Sequence, residues 1–116
     1  MFNGSHKDFA CLLNILESIE KIKQYSVDCS NSDDFFSESK TFDAALMNFI
    51  IIGEMAERLS ENFKHSSESE IDWFKIRGFR NIIAHNYFGI DAEEVWQIIN
   101  TTLPDLETKI KRIVHH

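Results

Sequence analysis

The residues of this chain with the clearest chemical potential lie in one short window. Between Trp73 and Ile90 there is no acidic residue, although the chain carries 19 acidic and 12 basic side chains and a formal charge of -7. An acidic protein repels polyanions over most of its surface, so this window is where a polyanion would be attracted. Its polar side chains of interest are Lys75, Arg77, Arg80, Asn81, His85 and Tyr87.

The residue types in this window suit phosphodiester chemistry on RNA. RNA carries its own nucleophile, the 2′-hydroxyl, so a protein can cleave it without a metal by supplying a proton acceptor or donor and positive charge around the phosphate. A free imidazole has a pKa of about 6.5, so His85 can exchange a proton near neutral pH. Arg80 stays cationic and its planar fork can hold phosphate oxygens in the transition state. Asn81 could orient His85 or the substrate, and Arg77 would add affinity for phosphate.

Helical spacing divides the window into two faces. At about 100° of rotation per residue the polar side chains fall opposite an apolar arc of about 120°, which is formed by Ile76, Phe79, Ile82 and Ile83. Arg80 and His85 are five residues apart and diverge by about 140° on an unbroken helix, too far to reach one phosphate well. Either the helix ends near His85, where Asn86 and Gly89 are typical of an exit and turn, or a second copy of the chain completes the site.

These residues also have ordinary structural interpretations. A polar stripe with two arginines on an amphipathic helix is most often a solvated surface. A single histidine is more often structural than catalytic, and Tyr87 is also typical of a surface or an interface. Glu54, further upstream, could pair with an arginine of this helix and hold it in place, or could simply be exposed. The joint spacing of the window favours a functional site.

The segment from Arg80 through His85 to Tyr87 is similar to the Arg-x4-His-x-Tyr motif of the HEPN superfamily, and the chain resembles its HepT-like branch of small ribonuclease toxins. The motif residues are intact. A small departure is Asp72, where the family often has proline, and it concerns a helix start rather than chemistry. Similar runs occur in family order over nearly the whole chain: Phe42-Asp-Ala-Ala45, Ile52-Gly-Glu-Met-Ala-Glu-Arg-Leu59, Asp72-Trp73, Tyr87-Phe-Gly-Ile-Asp91, Val95-Trp96 and Leu103-Pro-Asp-Leu106.

The resemblance implies a function and two partners besides RNA. Two motif helices are expected to pack near a twofold axis, so that both Arg80–His85 pairs project into one cleft of a homodimer. The family also implies a minimal nucleotidyltransferase antitoxin, as in a type VII-like toxin-antitoxin module, which blocks the toxin by contact or by nucleotidylation (AMPylation) of the motif tyrosine. Tyr87 is the matching position. An adenylate there would add bulk and negative charge beside the arginines and compete with RNA phosphate.

Length and composition predict one domain, and helical periodicity predicts an all-α bundle of four main helices. The family resemblance implies that this bundle is antiparallel and HEPN-like. The 116 residues suit a single domain over 1–116, and 43% of them are apolar and available for a core. One proline and four glycines argue against a loop-rich or all-β architecture. Residues 1–6 are expected to be disordered or left over from an expression tag, because they include Gly4-Ser5-His6.

Apolar periodicity places the first two main helices. A first helix is predicted from about Lys7 to Tyr25, followed by a Ser/Asp-rich loop over 26–39 with one helical turn pinned by Phe35 and Phe36. A central helix is predicted from Thr41 to about Glu61, with apolar residues on more than one face, which suggests contacts on two sides.

Capping residues predict where the motif helix and the fourth helix begin, and a proline predicts where the fourth helix kinks or restarts. The polar stretch over 62–70 reads as a connection, after which Asp72 can cap the motif helix. A fourth helix should begin with Asp91, with Glu94 as its capping-box partner. Pro104 removes a backbone donor, so this helix should kink or restart near 101–103.

Several classes of protein are not supported by the sequence. No apolar run approaches the roughly 20 residues needed to span a bilayer, and no secretory signal is visible, so a soluble cytoplasmic protein is expected. Cys11 and Cys29 read as two reduced thiols, and no His/Cys/carboxylate set has metal-ligand spacing. Neither a Walker loop nor a dinucleotide-binding pattern occurs, so no cofactor is expected and catalysis should be independent of metal.

The sequence therefore leaves a leading function and two alternatives. The leading hypothesis is a metal-independent endoribonuclease toxin that acts on RNA, not DNA, through Arg80 and His85. The first alternative is a non-catalytic partner or substrate-binding subunit of a minimal nucleotidyltransferase. The second is a merely structural helical dimer, for which removal of Arg80 would have no effect on RNA.

Overall fold

The chain folds into a bundle of helices around one continuous core. The computed structural model describes residues 2, 4–85 and 91–115, without the side chains of residues 82–85. The helices are α1 (His6–Ser26), α2 (Ser32–Ser37), α3 (Ser39–Arg58), α4 (Glu61–Ser67), α5 (Trp73–His85), α6 (Ala92–Gln97) and α7 (Leu103–Val114). A π-helical turn over Ile98–Thr102 joins α6 to α7. Four long units, α1, α3, α5 and α6–α7, make up the bundle, which confirms the all-α prediction.

The central position of α3 follows from its apolar residues. Side chains on two sides of this helix are buried, and they include Phe42, Ala45, Leu46, Phe49, Ile52 and Ala56. One side packs along α1 and the other along α5. Contacts between Asp8 and Ser60 and between Asn14 and Met55 show that α1 and α3 run antiparallel. The two-sided burial predicted for the central helix is confirmed.

The start of α1 is tied to the rest of the molecule. The side chain of Ser5 accepts a hydrogen bond from the backbone N–H of Asp8, while the Asp8 carboxylate accepts one from the Ser5 N–H, which completes a capping box. The ring of Phe2 packs against those of Phe9 and Phe63, with centroids 5.5 Å apart in each case. Residues expected from the sequence to lie outside the fold thus contribute to it.

The stretch after α3 is helical rather than a plain connection. Instead of running to Glu61, α3 ends at Arg58, and Ser60 then caps α4 by accepting a hydrogen bond from Phe63 N–H at 3.2 Å. Phe63 is buried, so this short helix is stabilised by contact with the core. The prediction of a connection over 62–70 is therefore wrong for the part that forms α4.

The motif helix begins where the sequence predicts. Asp72 accepts a hydrogen bond from the backbone N–H of Lys75 at 3.1 Å and caps α5. The indole N–H of Trp73 donates to the hydroxyl of Ser67 at 2.8 Å, which ties the start of α5 to the end of α4. Ile76 and Phe79 are buried, as the helical spacing predicts. The other two residues of that apolar arc, 82 and 83, lie outside the described side chains.

The last helical unit contains a π turn just before Pro104. Asp91 caps its start as predicted, since its side chain accepts hydrogen bonds from the N–H groups of Glu93 and Glu94. The hydrogen bonds of the described residues do not include the predicted capping-box contact of Glu94. The backbone N–H of Leu103 donates a hydrogen bond to the carbonyl of Ile98, five residues earlier. A proline lacks an N–H and clashes with the carbonyl four residues before it, so the wider turn accommodates Pro104 without ending the helix. The predicted kink or restart near 101–103 is confirmed in this form.

The remaining local predictions have mixed outcomes. The turn predicted within 26–39 is α2, but only Phe35 is fully buried, whereas Phe36 is 55% exposed and touches the edge of Phe42. Cys11 and Cys29 are both free thiols, as expected. In the described ranges, no helix is both long and apolar enough to cross a membrane.

Candidate functional site

The position of Arg80 is set by an unusually close approach of α5 to α3. Gly53 of α3 lies against the backbone of α5, and a Cβ atom at Gly53 would be 2.8 Å from the Cβ of Arg80 and 2.9 Å from its backbone nitrogen. The carbonyl oxygen of Arg77 would be only 3.1 Å away. A side chain on residue 53 would therefore push the two helices apart, and the glycine places Arg80 directly over α3.

Two carboxylates of α3 hold the guanidinium of Arg80. Its Nη1 atom lies 2.5 Å from Oε1 of Glu54 and 2.5 Å from Oε2 of Glu57. All three side chains are partly exposed, at 32% for Arg80, 38% for Glu54 and 43% for Glu57. The hydrogen bond that Arg80 donates to Glu54 and the charge of Glu57 raise the pKa of the Arg80 guanidinium above its ordinary value, so the group remains cationic.

Only one end of the guanidinium is used by this contact. An arginine offers five N–H donors, of which Nη1 carries two. To the described residues, the side chain of Arg80 makes hydrogen bonds or ion pairs only through Nη1. The three donors on Nη2 and Nε remain for a ligand on the partly exposed side, and their fixed fork matches the oxygens of a phosphate.

Arg77 lies one turn before Arg80 and is held in a different way. Its Cζ atom is 5.0 Å from the ring centroid of Phe74, a cation–π contact on the outer face of α5. Phe74 is 76% exposed. Both side chains line an open pocket of about 470 Å³ between α4 and the start of α5. Its polar lining residues are Glu61, Lys64, His65, Glu68, Asp72 and Arg77. The pocket carries both signs of charge, so its affinity for phosphate would come mainly from Arg77 at the rim.

The other predicted site residues are only partly described. Asn81 is exposed, on the polar side of α5. His85 belongs to α5, but its side chain lies outside the described part, as do Tyr87 and the exit turn predicted around Asn86 and Gly89. Arg77 and Arg80 are half-buried and Asn81 is exposed, so all three side chains are at least partly accessible. Whether Arg80 and His85 converge stays a prediction.

Glu57 and Gly53 are site residues that the sequence did not identify. For Glu54 the sequence suggests an arginine of the motif helix as one possible partner, and the structure shows that pairing with Arg80. Glu57 lies three residues after Glu54 and therefore on the same side of α3, a spacing that could have pointed to a carboxylate pair. The role of Gly53 depends on the packing of two helices that are distant in sequence, so no local signal indicates it.

Lys64 adds a link between α4 and this cluster. Its ammonium group donates to the backbone carbonyl of Glu57 at 3.0 Å and lies 3.3 Å from the carboxylate of Glu61. A cation at the end of a helix interacts favourably with the carbonyl groups there, so Lys64 stabilises the last turn of α3. Within the described ranges, no cluster of three or more histidine, cysteine or carboxylate side chains could hold a metal ion.

Comparison with known families gives a match over most of the chain. The family described as "Ribonuclease HepT-like" matches residues 15–113. That range includes α3, α5 and the whole Arg80 cluster.

Individual relatives match over similar lengths. A protein of Methanocaldococcus jannaschii named "Gamma-glutamylcyclotransferase and putative RNase" is 35% identical over 93% of this chain, which spans only 48% of that relative. "Probable ribonuclease HepT" of Thermococcus cleftensis is 31% identical over 94% of this chain and 96% of its own length. A "Putative RNase" of Caldanaerobacter subterraneus is 30% identical over 83% of this chain and 80% of its own. No solved structure matches the chain.

Proposed function

The chain belongs to the HepT-like ribonuclease family, and from this premise we propose that it is a metal-independent endoribonuclease toxin. The observation that carries the proposal is the state of Arg80. Its guanidinium is anchored to α3 through one nitrogen, remains about one third exposed, and leaves a fork of donors for a phosphate. The relatives named as ribonucleases support RNA as the substrate.

The proposed reaction uses the 2′-hydroxyl of the substrate. The 2′-oxygen attacks the adjacent phosphorus and the bond to the 5′-oxygen breaks, which leaves a 2′,3′-cyclic phosphate and a 5′-hydroxyl end. One group takes the proton of the 2′-hydroxyl and another gives a proton to the departing oxygen, and His85 is the candidate for such a transfer. Arg80 would stabilise the negative charge that builds on the phosphate oxygens, with Arg77 and Asn81 in support.

A homodimer is part of the proposal because one subunit has only one motif histidine. On a continuous helix the Arg80 and His85 side chains diverge by about 140°. Two motif helices packed about a twofold axis would bring two arginines and two histidines to one cleft, and the two imidazoles could then serve as acid and base. The exposed side of α3 and α5 around Arg80 would line that cleft.

Regulation by a nucleotidyltransferase antitoxin is the further part of this function. Tyr87 is the candidate for modification, because an added nucleotidyl group would place negative charge near Arg80 and Arg77 and compete with RNA. A toxin of this type would act in the cytoplasm on RNA of the cell that makes it. Co-purification with a neighbouring nucleotidyltransferase, followed by intact-mass measurement, tests this part through a mass increment on Tyr87 that a Tyr87→Phe variant should lack.

Cleavage of RNA in the presence of EDTA tests the enzymatic part. The wild-type protein should cut single-stranded RNA and leave cyclic-phosphate ends, and Arg80→Ala and His85→Ala should not. If the wild type cuts no RNA but forms a stable complex with a nucleotidyltransferase, the alternative of a non-catalytic subunit replaces this proposal. Cleavage that stops in EDTA and returns with added Mg²⁺ would contradict metal independence.

A further inference from the structure

The Arg80 cluster carries a net negative charge at the place where a phosphate should bind. One guanidinium lies between two carboxylates, so the formal sum for Arg80, Glu54 and Glu57 is −1. A surface designed only for affinity to RNA would leave its arginine without acidic neighbours, since each carboxylate repels the phosphate. The carboxylate pair therefore needs an explanation other than attraction of the substrate.

The geometry of the pair indicates control of orientation. Both carboxylates converge on the same nitrogen, Nη1, from positions three residues apart on one helix. Two contacts to one nitrogen restrict rotation of the guanidinium, whereas one contact would leave it free to swing. The plane of the fork, and with it the direction of the Nη2 and Nε donors, is thereby fixed before substrate binds.

The segment of α3 that carries Glu54 and Glu57 is held in place by core packing. Ile52, two residues before Glu54, and Ala56, directly before Glu57, are buried in the core. Gly53 brings the backbones of the two helices into contact, and Lys64 fixes the carbonyl of Glu57. The distance from the glutamate backbone to Arg80 is thus set by core packing rather than by a mobile loop.

We propose that Glu54 and Glu57 are positioning residues that fix Arg80 for the transition state and at the same time weaken binding of RNA in the ground state. The inference rests on the proposed ribonuclease function and adds two residues to it. An arginine locked in the productive orientation needs no reorganisation when charge develops on the phosphate. The adjacent carboxylates lower affinity for substrate and product alike, which favours turnover.

Variants with altered charge or altered length separate these two effects. Glu57→Gln keeps the size of the side chain but removes the charge, so KM for a single-stranded RNA should fall a few-fold while kcat falls about 10-fold or more. Glu57→Asp keeps the charge but shortens the arm, so kcat should fall by about as much with KM close to that of the wild type. The same pair of variants at Glu54 should behave alike.

The measurements use the full chain as a purified protein. Initial rates on a fluorescent single-stranded RNA give kcat and KM, and binding of the 2′-deoxy analogue, which lacks the nucleophile, gives a dissociation constant without cleavage. Glu17→Gln is the matched control, because Glu17 lies on the outer face of α1 and pairs only with Lys21 among the described residues. That control should leave kcat unchanged, and thermal unfolding of every variant shows whether the fold is intact.

The possible results lead to different conclusions. A fall in kcat together with tighter binding of the 2′-deoxy oligonucleotide in the glutamine variants, but not in the aspartate variants, supports the proposal. Unchanged kcat in folded Glu54 and Glu57 variants would overturn it while leaving the ribonuclease function in place, and so would a rise in kcat, which would indicate an inhibitory latch. Absence of cleavage by the wild type would overturn the proposed function and this inference together.

Discussion

Two clusters of the molecule are built on carboxylates, and they differ in whether hydrogen-bonding groups remain for a ligand. In the first, Asp8 of α1 is 1% exposed and accepts hydrogen bonds from the backbone N–H and hydroxyl groups of Ser5 and Ser60, at distances from 2.7 to 3.2 Å. In the second, Glu54 and Glu57 are partly exposed and share a single nitrogen of Arg80. The first joins the N-termini of α1 and α4, and the second joins α3 to α5.

This difference distinguishes a cluster that stabilises the fold from a cluster that is suited to binding a ligand. Four donors meet the two oxygens of Asp8 within the protein, so this buried group has little capacity to bind anything else. Among the described residues, Arg80 is bound only through Nη1, and its other three donors have no partner there. A cluster that is closed on itself stabilises the fold, whereas one that retains directed, unused donors is suited to a ligand.

The largest effect is expected from breaking the second cluster at its cation. Arg80→Ala or His85→Ala should reduce RNA cleavage by about 100-fold or more, because each removes charge stabilisation or proton transfer in the transition state. Melting temperature should change little for Arg80→Ala, since both glutamates can be hydrated once the arginine is removed. Cleavage rate and thermal unfolding of the same preparations check this.

Growth of an expressing strain gives a control in the cell. Arrest by the wild type and tolerance of His85→Ala, at equal protein level, would agree with a toxin. Equal toxicity of both would remove His85 from the reaction.

Breaking the first cluster, at Asp8, should lower the stability of the fold and leave RNA cleavage intact. Asp8→Ala leaves the partly buried N–H groups of Ser5 and Ser60 without their acceptor. It also removes part of two helix caps, so the free energy of unfolding should fall by about 2 kcal/mol and the melting temperature by about 10 °C. Chemical denaturation measures the change. Asp43→Ala, an exposed position on α3, is the control and should be near neutral.

Activity of the folded Asp8→Ala fraction should be retained. A variant that stays as stable as the wild type, or one that loses cleavage while folded, would contradict the division between the two clusters.

The two clusters also differ in how much of them the sequence could predict. Helical periodicity and caps such as Asp72 and Asp91 are local signals, and they placed the long helices correctly. The helix that Ser60 caps, α4, is stabilised by the burial of Phe63 in the core, which is a tertiary contact. Ser5 lies in a Gly-Ser-His run that is also typical of an expression tag. Helix α4 and the Asp8 cluster were therefore missed.

The candidate site was predicted in part for the same reason. Arg77, Arg80 and Asn81 are at least partly exposed, and their joint action in one site stays a prediction. The Glu57 pairing and the close approach at Gly53 arise between α3 and α5, which are far apart in sequence, and pattern reasoning on one segment does not reveal them. The predicted roles of His85 and Tyr87 stay predictions, since their side chains lie outside the described residues.

Two glycines offer a matched test of the helix approach at Arg80. Gly53→Ala should destabilise the fold by about 1–3 kcal/mol and lower kcat, because its Cβ would meet backbone atoms of α5 that cannot move aside cheaply. Gly78→Ala should instead stabilise α5 by about 0.5–1 kcal/mol, since its Cβ would meet no described atom within 4 Å outside its chain neighbours and the backbone of its own helix. Unfolding free energies and kcat of both variants check the contrast, and equal responses would contradict it.

A smaller effect is expected from pH. Burial alone raises the pKa of Asp8, but the hydrogen bonds from Ser60 and Ser5 outweigh it and lower the pKa below its ordinary value. A carboxyl with a lowered folded pKa contributes stability that is fully present above its unfolded pKa, about 3.9, and lost as the pH falls through the folded value. The stability difference between wild type and Asp8→Asn should therefore be constant from pH 5 to 7 and shrink below about pH 4.

Denaturant unfolding of both proteins across this range measures the difference. A gap that widens on acidification would show that the hydrogen bonds do not favour the charged form of Asp8.

The most direct test of the account is a crystal structure of the protein with a single-stranded 2′-deoxy oligonucleotide. We expect a phosphate within about 2.7–3.1 Å of Nη2 or Nε of Arg80, while Nη1 stays on Glu54 and Glu57. A phosphate bound away from α5, or an Arg80 released from both glutamates in order to reach it, would contradict the central claim.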